Sequence, residues 1–131
     1  MSERPALLLL ALPLLALLAA PAMGDTPGSV QAKNNMAEGK ALFEQICAAC
    51  HMADARGSGD GAIPSLASDA NLADPAYPVG VVMNGKGAMP PFAELLTPAQ
   101  VGAAITYVRT HFGNDYPQPV TEADVRKLAQ P

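Results

Sequence analysis

Both cysteines of this 131-residue chain, and one of its two histidines, fall in one pentapeptide, Cys47-Ala48-Ala49-Cys50-His51. On a helix, residues three and four apart share a face, so one turn presents both thiols and the imidazole together. Two thiols at this spacing can add across the two vinyl groups of a haem and make two thioether bonds. The residue that follows can swing its ring beneath the iron as the proximal ligand. This is the C-x-x-C-H pattern of covalent haem c attachment. The linkage holds the haem even when the chain breathes, and it fixes the ligand's position.

Three plainer readings compete. A disulfide between Cys47 and Cys50 accounts for the thiols but leaves His51 without a role. A thioredoxin-like redox pair needs a strand-helix-strand setting, and no stretch here alternates as a strand does. A structural zinc needs four protein ligands, and only Cys47, Cys50, His51 and His111 are on offer, with the Cys50–His51 adjacency awkward for a tetrahedral ion.

A haem that carries electrons usually takes a second axial ligand, and a methionine opposite a histidine raises the potential. Of the six methionines, Met1, Met23 and Met36 precede the motif, and Met52 adjoins His51 and cannot reach the far face of the ring. Met83 sits in an apolar, helix-like run and reads as core filler. Met89 lies between glycines and prolines, where backbone can approach a ring closely, and is the expected distal ligand. A metal-bound histidine normally donates its other N–H to an acceptor. The carbonyl of Pro64, in the extended Ile63-Pro64-Ser65-Leu66, is one candidate, and an ordinary loop proline is the alternative. His111, near a helix C-terminus, reads as a cation favoured by the helix dipole.

The elements that position these residues are helices. Asn35 is a plausible N-cap with Glu38 three residues on, and Gly39, Leu42, Phe43 and Ile46 mark a buried face leading into Cys47. Gly24 to Gln31 reads as a mobile leader. Residues 53–61 are a glycine-bearing loop. One or two short helices fall within 70–85, with Pro75 and Pro78 breaking the early part. Met89-Pro90-Pro91 is extended. The clearest helix opens at Thr97, with Pro98 at its first position, Gln100 closing a capping box and Leu96–Val101 as a staple. Val101, Ile105, Val108 and Phe112 form its stripe, and Gly113-Asn114 ends it. Thr121 with Asp124 starts a last short helix. The fold class is all-α.

The N-terminal stretch is read separately. Ala6 to Ala20 is an apolar run with Arg4 before it and Ala20-Pro21-Ala22 after it, a secretory signal peptide cut after Ala22. The run is short for spanning a bilayer, so no membrane span is expected after cleavage. The expected division is signal peptide 1–22, leader 23–34, haem domain 35–114 and C-terminal extension 115–131. Export implies an oxidising compartment, the periplasm. The net charge is −4, and no basic stripe exists, which excludes nucleic acid as a partner.

In order along the chain, these residues resemble the class I c-type cytochromes. Gly39-x-x-x-Phe43-x-x-x-Cys47 is similar to the family's first helix, whose glycine lets another helix cross closely. Ile63-Pro64-Ser65-Leu66 resembles the segment whose proline carbonyl accepts from the proximal histidine. Asn84 to Phe92, with Met89 at its centre, is similar to the distal methionine loop of bacterial members. Ile105-Thr106-Tyr107-Val108 resembles the helix whose aromatic packs on that first glycine. The resemblance implies a small helical shell around one covalent haem c, with Cys47 and Cys50 as thioethers, His51 and Met89 on the iron and Pro64 behind His51.

It also implies one-electron transfer, without a general acid, base or nucleophile, between periplasmic redox partners: a dehydrogenase, an oxidase or a reductase. The chain departs from the mitochondrial type in lacking abundant lysines. Only Arg56 and Lys86 are expected near the haem edge, so a small, more apolar docking surface is expected. Its ending, Tyr107 to Asn114, is similar to cytochromes that serve periplasmic dehydrogenases. The alternative function is a haem enzyme or gas sensor with an open sixth iron position.

Overall fold

A computed structural model describes residues 26–129. The expected signal peptide, 1–22, and the first leader residues, 23–25, lie outside the described residues. Helix α1 spans Pro27–Leu42, a π-helical turn spans Phe43–Cys47, and α2 spans Ala48–His51. A 3-10 turn, Ala70–Ala73, precedes α3, Ala76–Asn84, and α4, Pro98–Thr110, precedes α5, Glu122–Leu128. Among the described residues the only β pairing is an isolated bridge between Lys86 and Met89.

The first helix begins well before Asn35. Thr26 is extended at φ −68° and ψ 150°, and Pro27 occupies the first helical position, where its fixed φ suits a helix and its missing N–H costs nothing. The Asn35 side chain does not cap. It accepts from Gln31 Nε2 one turn back, at 2.7 Å. The expected mobile leader is therefore helical from Pro27 onward. Pro78 also behaves differently from its sequence reading. It falls in the first turn of α3, where backbone donors have no partner within the helix, so it is accommodated and buried.

The other two helix starts follow the sequence closely. Thr97 Oγ1 accepts from Gln100 N at 3.2 Å, and Gln100 Oε1 accepts from Thr97 N at 3.0 Å. Thr121 and Asp124 form the same reciprocal pair at the head of α5. Each pair satisfies two otherwise orphaned backbone donors.

α1 crosses α4 at Gly39, one of the close helix contacts that define this shell. One apolar cluster, Phe43, Ala55, Leu72, Tyr107 and Val108, gathers at the crossing, with Cys47 packed against it. The second, Val79, Val101, Ile105, Val120 and Val125, joins α3, α4 and the C-terminal segment. Val120 and Val125 are 5% and 0% exposed, so the segment that follows residue 115 contributes to the core through these two side chains.

Arg109 ties the same segment down. Its guanidinium, buried within α4, donates to the carbonyls of Leu72 at 2.8 Å, Gln118 at 2.6 Å and Ala73 at 3.3 Å. Burial pulls its pKa below the ordinary arginine value, and arginine nonetheless stays protonated in proteins.

Candidate haem site

The attachment motif sits at the end of a continuous helical rod. In the π turn the Ala48 N–H reaches back to the Phe43 carbonyl, five residues away. A π turn is a one-residue widening of an α-helix, often found at functional sites. Here it falls directly before Ala48 and sets the rotation at which Cys47, Cys50 and His51 leave the rod. The rod stops at Met52, whose φ of 67° and ψ of 160° leave helical space. Cys47 is half-buried and Cys50 exposed, and no disulfide joins them. Burial raises the Cys47 pKa.

His51 is 7% exposed. Its Nδ1 donates to the Pro64 carbonyl oxygen at 3.1 Å. That bond fixes the tautomer and the ring plane, and it leaves Nε2 as the nitrogen able to bind a metal. The segment carrying Pro64 is tied to the loop after the motif. Leu66 N donates to Ala55 O at 2.7 Å, Ser58 N to Ile63 O at 3.0 Å, and Gly57 N to His51 O at 3.0 Å.

Met89 arrives from another part of the chain. Lys86 and Met89 exchange two backbone hydrogen bonds, each 3.0 Å, which closes a tight loop after α3. Phe92 N donates to Val82 O at 2.8 Å and pins the loop's far side to α3. Met89 and Cys47 then line one cavity together with Ile46, Val82, Phe92, Leu96 and Ala104. Met83 instead packs on the second apolar cluster, in keeping with its reading as core filler. His111 Nδ1 lies 2.9 Å from the Tyr107 carbonyl oxygen, and its ring stacks on Tyr107 at 4.1 Å. It is occupied with the end of α4.

This donor set fits a covalent haem. The cavity wall is apolar, as a porphyrin face requires. One thiol lies in the wall and a second follows on the next turn. Met89 lines the same space, and the buried His51 imidazole has one ring nitrogen already held by Pro64. Among the described residues no group of three or more His, Cys, Asp or Glu side chains could hold a metal ion, so the zinc alternative lacks a ligand set.

Sequence reasoning missed two backbone features. Gly85, at φ 74°, lies so close to the methionine loop that a Cβ there would be 2.7 Å from the Met89 carbonyl oxygen. Gly57, at φ 68°, lies closer still to the Ile63–Pro64 peptide, where a Cβ would be 2.2 Å from the Ile63 carbonyl oxygen. In the sequence, Gly57 looks no different from Gly59 or Gly61, and nothing in composition separates them.

A helical shell with a Cys-x-x-Cys-His motif, a proline carbonyl behind the histidine and a methionine at the same cavity as the first thiol defines a c-type cytochrome. The family model described as "Cytochrome C oxidase, cbb3-type, subunit III" matches residues 34–108. The "Fructose dehydrogenase cytochrome subunit" of Gluconobacter japonicus is 34% identical over 105 residues, which cover 69% of this chain and 21% of that protein. The chain thus spans about a fifth of the length of that relative. The chain belongs to the family of that model, and is a c-type cytochrome with covalently bound haem c and its iron.

Proposed function

We propose that Cys47 and Cys50 form the thioethers of the haem, that His51 and Met89 are its axial ligands, and that the protein passes single electrons between partners in the periplasm. The observation that carries this reading is the convergence of Cys47 and Met89 on one apolar cavity. The haem iron supplies the ferric–ferrous couple. The chain's own residues do the rest. His51 is oriented by Pro64. Met89 is held by a loop closed on itself and pinned to α3. The apolar wall excludes water and favours the less charged ferrous state.

Residues 1–22 act as the export signal in this reading. No helix among the described residues is long and apolar enough to cross a membrane. The electron donor is a periplasmic dehydrogenase, a role supported by the name of the relative from Gluconobacter japonicus. The chain itself catalyses no substrate chemistry. Docking does not depend on a lysine ring. Lys86 lies over the Tyr77 ring at 5.0 Å, Arg56 pairs with Asp54 at 3.7 Å, and Met52 next to the motif is 44% exposed.

The test is a visible spectrum of the exported protein, oxidised, reduced, and reduced under carbon monoxide. A c-type reduced spectrum, a weak far-red methionine–iron band when oxidised, and no response to carbon monoxide are expected. A spectrum that shifts with carbon monoxide would mean an open sixth position and would move the protein toward gas sensing or catalysis.

A further inference from the structure

We infer that Gly57 is a positioning residue that sets how strongly His51 donates to the iron, and so tunes the reduction potential. The inference rests on the proposed ligation by His51. The backbone of Gly57 is packed against the back of the Ile63–Pro64 peptide. A Cβ on Gly57 would lie 2.2 Å from the Ile63 carbonyl oxygen, 2.7 Å from the Pro64 oxygen and 2.8 Å from the Pro64 carbonyl carbon. These are backbone atoms, so no side-chain rotation can relieve the overlap. The Pro64 oxygen is also the atom that accepts from His51 Nδ1 at 3.1 Å.

Gly57 is fixed from the other side as well, because its N–H donates to the His51 carbonyl at 3.0 Å. One residue thus touches both ends of the histidine–proline hydrogen bond. It is bonded to the backbone of the donor and in contact with the acceptor. Any side chain at 57 must push the Pro64 carbonyl away from where it now lies. A longer Nδ1–H···O bond leaves the imidazole less electron-rich. A poorer donor stabilises the ferric state less, so the potential rises.

The same loop supplies a control. Gly61 also has positive φ, at 79°, yet a Cβ there meets nothing within 4 Å. Gly57→Ala and Gly61→Ala both carry the conformational penalty of a side chain at positive φ, and only the first disturbs Pro64. A milder variant, Ser58→Ala, removes the hydroxyl that accepts from Ile63 N at 2.8 Å. It loosens the adjoining Ala62–Ile63 peptide, one step before the segment Gly57 abuts, without adding any atom.

The experiment measures the potential and the paramagnetically shifted proton resonances of the haem-loaded wild type and the three variants. Gly57→Ala should favour the ferrous state by on the order of tenfold, about 59 mV for one electron. The His51 Nδ1 proton should then exchange faster with solvent. Ser58→Ala should move both readouts the same way by less, and Gly61→Ala should move neither.

Equal potentials for Gly57→Ala and Gly61→Ala, with equal protection of the His51 proton, would overturn the inference. If Gly57→Ala fails to load haem, Ser58→Ala decides, and an unchanged potential there overturns it too. Absence of iron-shifted His51 resonances in the wild type would instead remove the ligation on which the inference stands.

Discussion

Gly39 and Ala103 touch through their backbones: a Cβ on Gly39 would lie 2.2 Å from the Ala103 carbonyl oxygen, and 2.9 Å from the Tyr107 Cβ. α1 and α4 can cross this closely only while position 39 is bare. The contact holds the rod that carries Cys47, Cys50 and His51 against the helix that carries Tyr107. Phe43, one turn on from Gly39, packs its ring 5.9 Å from that of Tyr107. Gly39→Ala gains about 1 kcal/mol of helix propensity but overpacks against rigid backbone. A net loss of about 2 kcal/mol is expected. A lower urea midpoint with an unchanged slope would register it, and an unaltered midpoint would mean that the helices part at no cost.

Met89 is the proposed ligand, whereas Met83 packs in the core. Met89→Ala should let the ferrous protein bind carbon monoxide and should lower its potential. Met83→Ala should leave both unchanged and cost about 2 kcal/mol in stability, because Met83 packs on the second apolar cluster. Carbon monoxide titration and potentiometry on the two variants distinguish these outcomes, and a carbon monoxide response confined to Met83→Ala would reverse the assignment.

Gly85 lies against the methionine loop as Gly57 lies against Pro64. Its φ is 74°, and a Cβ would lie 2.7 Å from the Met89 oxygen and 2.9 Å from Pro91 N. Gly85→Ala should cost about 1–3 kcal/mol in backbone strain and displace the methionine loop. Weakening of the far-red band in the oxidised protein, with partial carbon monoxide binding when reduced, is the expected signature.

Attachment is checked by removing both thiols. Haem in the Cys47→Ser, Cys50→Ser variant should be extractable with acidified solvent, whereas wild-type haem should stay with the chain. Covalent retention in the variant would mean that some other residue is linked.

Arg109 is expected to matter to stability and not to colour. Replacing it by Met keeps an apolar stem of similar length but strands the Leu72, Ala73 and Gln118 carbonyls it now satisfies. A loss of about 2–3 kcal/mol is expected from bonds to a charged donor, with an unchanged reduced spectrum. Arg109→Lys should recover only part of it, because one ammonium cannot span three carbonyls as the planar fork does. Chemical unfolding followed at the haem absorbance reads both.

The attachment motif of this chain is local, and so it is legible in the sequence alone. The spacing of Cys47, Cys50 and His51 follows from one turn of helix. The capping boxes at Thr97 and Thr121 need only residues three apart. Met89 stands out because prolines forbid helix around it. The start of α1 differs from its sequence reading for a related reason. Asn35 followed by Glu38 carries a capping signature, and Pro27 carries an equally local one. Which start prevails depends on whether the residues between them are held as helix, and here they are.

Other features depend on what distant residues do to one another. Nothing near Arg109 in sequence announces that Leu72 and Gln118 will turn their carbonyls toward it. Residues 115–129 read as a tail, yet Val120 and Val125 complete the second apolar cluster. Three glycines fall within 57–61, and only the tertiary structure decides that one of them lies under Pro64 while another faces open space. A sequence states that a residue has no side chain. Only the packed backbone states what that side chain would have struck.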